Sequence, residues 1–138
     1  MKYSRATNYA LHTMVYLTLQ PKGKTIGVEQ LAKIQNLSPT YLSKILTKLV
    51  KAGLIESIPG VKGGYSIVRQ SNEITFLDVI HAIEGKTSLF NCSFDHEDLQ
   101  NGDCLIENVM IEAEKKMKEE LNSRLILDIA NQINKETL

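Results

Sequence analysis

The chain has 138 residues, 43% hydrophobic and 23% charged, ordinary proportions for a soluble globular protein of one domain, or one domain with an appended helix. The formal net charge of zero conceals an asymmetry: residues 1–70 carry ten Lys and Arg against Glu29 and Glu56, net +8, and the remainder is −8. No apolar run is long enough to span a membrane and the N-terminus lacks the apolar core and cleavage site of a signal peptide, so a cytoplasmic protein is expected, with two cysteines that are free, metal-bound or redox-active rather than permanently bridged.

Residues 3–19 read as a first helix, with Tyr9, Ala10, Leu11, Met14, Val15 and Leu17 at core positions and Gln20-Pro21-Lys22-Gly23 ending it. From Val28 to Gln35 the apolar residues Val28, Leu31, Ala32 and Ile34 recur at helical spacing, and Asn36-Leu37 breaks the run. Ser38 is a good N-cap and Pro39 a good first helical residue, because proline's missing N–H has no helical partner there in any case. The helix they open buries Leu42, Ile45, Leu46, Leu49 and Val50 in one stripe. Its other face, Thr40, Tyr41, Ser43, Lys44, Thr47, Lys48 and Lys51, carries hydroxyls and ammoniums but no acid. Gly53 sits where helix C-termini call for a left-handed residue. Alternation through Ile58, a turn over Pro59-Gly60-Val61-Lys62-Gly63-Gly64 and a return through Tyr65, Ile67 and Val68 make a hairpin.

Two short helices, a tight turn and a glycine-tipped hairpin form a winged helix-turn-helix, whose second helix places its N-terminal end in the major groove. Thr40, Tyr41, Ser43 and Lys44, next to the Ser38 cap, are then the candidates for base edges, while Lys48 and Lys51 suit phosphates. Lys62 at the hairpin tip, with Gly63, Gly64 and Tyr65 beside it, is placed to touch the minor groove or backbone. A basic half carrying this unit and an acidic half carrying another fits a chain of which one end faces double-stranded DNA. The bland alternative is a helical hairpin with a solvated lysine face, which would not need the wing.

Beyond the wing, Ser71-Asn72-Glu73 is a turn, and Thr75 with Asp78 makes an approximate capping box for a helix over Phe76–Glu84, with Phe76, Val79, Ile80 and Ile83 facing inward. His81 on that helix has no second ligand at metal spacing and reads as a structural or surface histidine. Residues 85–103 form a loop with Cys92, His96, Asp95, Glu97 and Asp98, long enough to suggest a function. Cys104 opens a helix, capped by Asp103, to about Asn122, along which Leu105, Ile106, Val109, Met110, Ala113, Met117 and Leu121 line one broad apolar face. This is read as a dimerisation helix, since paired half-sites on DNA call for two-fold symmetry; burial within the same chain is the alternative. Ser123 caps a final helix in which Leu125, Ile126, Leu127, Ile129, Ala130 and Ile133 are apolar. The expected fold is mostly α with a small β-hairpin wing: a DNA-binding domain over 1–84, a cysteine loop over 85–103, and dimerisation and C-terminal helices over 104–138.

The run Leu-Ser-Pro-Thr-Tyr-Leu at the turn, Leu-Val-Lys-Ala-Gly-Leu-Ile after the recognition helix and Gly-Gly-Tyr in the wing resembles the Rrf-two (Rrf2) family of bacterial transcription regulators, over essentially the whole chain and most closely between Leu31 and Tyr65. The resemblance implies a homodimer that contacts DNA backbone near the start of its first helix, which would employ Lys2 and Arg5; on charge alone these are equally well solvated surface groups. Iron-sulfur members carry three loop cysteines. The outer two match Cys92 and Cys104, but the middle position is Asp98 and the position of a downstream histidine ligand is Glu107. Other members complete a two-iron cluster with a carboxylate or imidazole from the partner's first helix, where this chain has Asn8 and His12. A wing position that relatives give to arginine is Pro59, and Ser43 stands where others carry an acid.

Three states are open to the two thiols. They could hold a [2Fe–2S] cluster with His12 of the partner and an oxygen ligand, or act as a redox switch, or be inert with no cofactor; a zinc site on Cys92, His96 and Cys104 is a variant of the first. Cys104 near a helix N-terminus suits an anionic sulfur, and the loop carboxylates oppose it. The function expected is a homodimeric, sequence-specific repressor responding through this loop; the alternative is a winged-helix module that binds protein instead of DNA. No set of nucleophile, base and orienting group appears, so an enzyme is not expected.

Overall fold

The computed structural model describes residues 2–68, 71–86, 88–90 and 104–137. Helix α1 (Arg5–Leu19) leads into the pair α2 (Val28–Gln35) and α3 (Pro39–Lys51). The hairpin β1 (Ile55–Ile58) and β2 (Gly64–Ile67) follows, then a 3-10 turn (Ser71–Glu73), α4 (Phe76–Glu84), α5 (Leu105–Asn122) and α6 (Ile126–Thr137). The architecture is mostly α with a two-stranded wing, as the apolar periodicity indicates. No helix of the described residues is long and apolar enough to cross a membrane.

The local signals act where they were read. Ser38 Oγ accepts the Tyr41 N–H at 3.2 Å and Pro39 follows it. At the other end of α3, Gly53 takes φ +76 while its N–H reaches Val50 O at 3.0 Å and the Leu54 N–H reaches Leu49 O at 3.1 Å, the paired closure that lets the chain leave a helix abruptly. Asn36, at φ 56, ends α2 in the same left-handed region. The Thr75–Asp78 capping box is complete: Thr75 Oγ1 accepts from the Asp78 N–H, and Asp78 Oδ2 accepts from the Thr75 N–H, both at 3.0 Å.

One core joins Ala10, Met14 and Leu17 of α1 to Leu31, to Leu42, Leu46 and Leu49, to Leu54 and Ile55, and to Val79 and Ile126. Ile126 is fully buried, so α6 returns to the winged-helix body and packs on α1.

Three expected boundaries are corrected. Helix α1 begins at Arg5 rather than residue 3, because Ser4 is extended and both its N–H and hydroxyl donate to Glu84. Helix α5 is capped by Cys104 itself, whose Sγ accepts the Glu107 N–H at 3.3 Å, and Asp103, the expected cap, lies outside the described residues. Ser123 closes α5 instead of opening α6, with its hydroxyl donating to Glu120 O at 2.7 Å. The reason is long-range. Phe76 N–H bonds Arg124 O at 2.9 Å and Ile126 N–H bonds Ile74 O at 3.0 Å, which holds the chain extended until α6 starts at Ile126.

Candidate nucleic-acid interface

Leu42, Ile45, Leu46 and Leu49 are buried, which fixes the roll of α3 and turns Thr40, Lys44, Thr47, Lys48 and Lys51 to solvent. Ser43 is half-buried, and its carbonyl accepts the Thr47 hydroxyl at 2.8 Å, so Thr47 has its proton committed within the helix. Tyr41, expected on the outer face, is half-buried and meets Tyr9 edge to face with ring centroids 5.9 Å apart. It braces α1 against α3, because an aromatic ring gains more from that packing than from water. Gln35 at the end of α2 ties that helix to α1 as well, donating to the buried Thr13 hydroxyl at 2.7 Å.

The wing is joined to the body by backbone. Ile26 N–H bonds Tyr65 O at 3.1 Å and Tyr65 N–H bonds Ile26 O at 2.8 Å. Thr25 Oγ1 donates to Lys62 O at 3.0 Å. A Cβ on Gly64 would stand 2.6 Å from Ile26 O, and one on Gly63 would run into Ile58 O, so both glycines have a role inside the fold apart from any approach to DNA. Lys62 and Val61 project from the tip and are exposed, while the Tyr65 ring is half-buried against the core.

At the start of α1 a site appears that sequence reasoning missed. Glu84 Oε1 accepts the Ser4 N–H at 2.8 Å, the Ser4 hydroxyl at 2.8 Å and the Thr7 hydroxyl at 2.6 Å. Thr7 is 2% exposed. The Thr7 bond above all, and the two from Ser4, hold the Glu84 carboxyl below its ordinary value, with the Lys48 charge acting in the same direction against partial burial. Lys2 and Arg5, on either side of this anchor, are exposed. The only sequence signal was a buried-side threonine one turn from an N-terminal serine, which carries no information about a residue 80 positions away.

Among the cysteine-loop residues, Cys92, His96 and Asp98 lie outside the described residues. Cys104 is half-buried with its sulfur engaged at the start of α5. His12 is exposed, and its Nδ1 lies 2.8 Å from Asn8 O; donation there leaves Nε2 as the acceptor. Among the described residues no three His, Cys, Asp or Glu converge at metal-binding spacing, so within the described part of one chain Cys104 and His12 do not make a cluster site. His81 is half-buried on α4, its pKa lowered by burial first and then by Lys86 and Lys118 against Asp78.

Helix α5 leaves its apolar face open: Leu105, Ile106 and Val109 are 77%, 69% and 68% exposed. Ala113 is exposed too, and Met110, Met117 and Leu121 are half-buried. An apolar cavity of about 340 Å³ lies between Met110, Ala113 and Met117 on one side and Tyr3, Leu89 and Phe90 on the other. The buried residue of α5 is an acid. Glu114, 8% exposed, accepts the Leu89 N–H at 3.0 Å and pairs with Lys118 at 3.3 Å, tying the start of the loop to the helix.

The Rrf2 family model, described as an iron-dependent transcriptional regulator, matches residues 3–132. The transcriptional regulator NsrR of Halalkalibacterium halodurans is 37% identical over 116 residues, 82% of this chain and 79% of that protein. The HTH-type regulator YwgB of Bacillus subtilis is 33% identical over 118 residues, 84% and 76% of the two chains. Among solved structures, CymR, the global cysteine regulator of B. subtilis, superposes with a TM-score of 0.80 at 28% identity over 96% of this chain and 98% of its own. IscR of T. potens gives 0.80 at 25% identity over 100% and 92%. Sequence and fold agree over nearly the whole length: the chain belongs to the Rrf2 family of winged-helix, DNA-binding transcriptional regulators.

Proposed function

We propose that the protein is a homodimer that reads an operator with α3 of each copy and alters its grip on DNA through chemistry at Cys92 and Cys104. The observation that carries the reading is the outer face of α3, where Thr40, Lys44, Thr47, Lys48 and Lys51 are exposed and no acid interrupts them. Short hydroxyls and Lys44 near the N-terminal end suit base edges, and Lys48 and Lys51 suit phosphates. Lys2 and Arg5 extend the phosphate track to the first helix, and Lys62 extends it to the wing. The open face of Leu105, Ile106 and Val109 supports dimerisation, since each such side chain gains about 1.5–3 kcal/mol when covered. The same lysine face disfavours the protein-binding alternative, because interfaces between proteins are depleted of lysine.

The test is a fluorescence titration of duplex DNA at several KCl concentrations. Affinity should fall steeply with salt, and binding indifferent to salt would refute the phosphate assignments.

Two observations bear on the signal. The Cys104 sulfur lies at the start of α5, half-buried rather than sealed in the core, where it accepts the Glu107 N–H, a position open to thiol chemistry. The free Nε2 of His12 suits a ligand to a cluster shared with a second copy. Absorption spectra with iron and sulfide assays on anaerobically purified protein separate them: colour with stoichiometric iron, lost in Cys92→Ser and Cys104→Ser, selects the cluster, and colourless protein whose DNA binding responds to oxidant selects the thiols. A response unaltered in the double variant would place the sensor elsewhere.

A further inference from the structure

We infer that Glu84 is a positioning residue for DNA binding: its carboxylate fixes the start of α1 so that Lys2 and Arg5 present their charges to the phosphates beside the recognition helix. The inference rests on the DNA-contact reading above and goes beyond it by naming what sets the contact.

Three donors from two residues converge on one oxygen, Glu84 Oε1, and they come from the residue just before α1 and from its first turn. Ser4 makes no side-chain cap bond to its own helix, and its hydroxyl donates to Glu84 on α4. An N-cap serine normally accepts an N–H of the first turn; the hydroxyl and backbone N–H of this one donate to another helix instead. Tyr3 adds a weaker hold on the other side, its hydroxyl 3.7 Å from Met117 Sδ. The charge of Lys48, on the outer face of α3, acts on the same carboxylate. Glu84 is on α4, which packs against both α1 and α3, the two helices that carry Arg5 and Lys48.

A carboxylate in such a place has a cost for a DNA-binding protein, since on charge alone it repels phosphate. Charge and positioning thus predict opposite signs. By charge alone, Glu84→Ala and Glu84→Gln both tighten binding. By positioning, Glu84→Ala loses all three bonds and weakens it, while Glu84→Gln keeps an acceptor oxygen for the same donors and does not.

The experiment is anisotropy titration of a fluorescent mixed-sequence duplex of about three helical turns with full-length protein across a KCl series, for wild type, Glu84→Ala, Glu84→Gln, Thr7→Val, Arg5→Ala and the Glu84→Ala/Arg5→Ala pair. Glu84→Ala should bind about tenfold more weakly with a salt slope smaller by about one. Glu84→Gln should stay within about twofold of wild type or bind tighter. Arg5→Ala should add little to Glu84→Ala, since groups acting as a unit are not additive. Thr7→Val, which keeps the branched shape and removes the shortest bond, should weaken binding in the same direction and carries the test if Glu84→Ala does not fold. Tighter binding by both Glu84 variants, or strictly additive effects of Glu84→Ala and Arg5→Ala, would overturn the inference. A wild-type protein without salt-dependent binding would instead overturn the DNA-contact reading on which it stands.

Discussion

Among the described residues, helices α3 and α5 each leave a face uncovered, yet α3 shows solvent Thr40, Lys44, Thr47, Lys48 and Lys51 whereas α5 shows Leu105, Ile106 and Val109 at about two-thirds exposure or more. Water satisfies the first face and is expelled from the second, so the two surfaces call for different partners. A cationic face with hydroxyls pairs with a polyanion, by contacts that salt weakens. An apolar face pairs with another apolar face, by contacts that salt hardly touches. Ile126 of α6, the helix after α5, is buried in the same core that takes the inner face of α3.

Substitutions should separate the faces in order of effect. Val109→Asp introduces a charge into the proposed interface twice over, once per copy, and should raise the dimer dissociation constant about a thousandfold, from roughly 2 kcal/mol per copy. Sedimentation velocity would show this, and an unchanged dimer would remove α5 from the interface. Lys44→Ala should weaken operator binding by about 1–3 kcal/mol and relax preference at one base pair if the ammonium reaches a base edge. Lys48→Ala should lower affinity for every duplex alike and reduce the salt slope by about one, leaving the dimer intact. A loss confined to one sequence would move Lys48 into the base-reading group.

The smallest effect concerns pH. Glu84 binds protons less readily folded than unfolded, chiefly through the Thr7 hydroxyl bond. It therefore contributes stability that is present above its ordinary pKa of 4.5 and is lost as pH falls through the lower folded value. Thermal melts of wild type should drop more than those of Glu84→Gln as the pH is lowered below 4.5. Parallel curves would mean that the carboxylate gains nothing from its donors.

What could be read in the sequence was local. Ser38-Pro39, Gly53, Asn36 and the Thr75–Asp78 pair act through partners within five residues, where residue type and spacing carry the information. The roll of α3 follows from its leucine and isoleucine spacing for the same reason. The failures are long-range. Ser123 has the chemistry of an N-cap, but the pairing of residues 74–76 with 124–126 keeps the chain extended past it. Cys104 takes a cap position better known for oxygen acceptors. Glu84 and Glu114 look like any acids on amphipathic helices, and only the fold brings them to Ser4, Thr7 and Leu89. Periodicity turns Tyr41 outward, and its edge-to-face contact with Tyr9 draws it inward.

The most direct test of a two-fold, α3-reading regulator is selection of bound duplexes from a random-sequence library by the purified protein, followed by sequencing. The account predicts an inverted repeat whose half-sites are centred one helical turn, or a multiple of it, apart, with enrichment lost in Val109→Asp. No enriched sequence, or an enriched motif without two-fold symmetry, would contradict it.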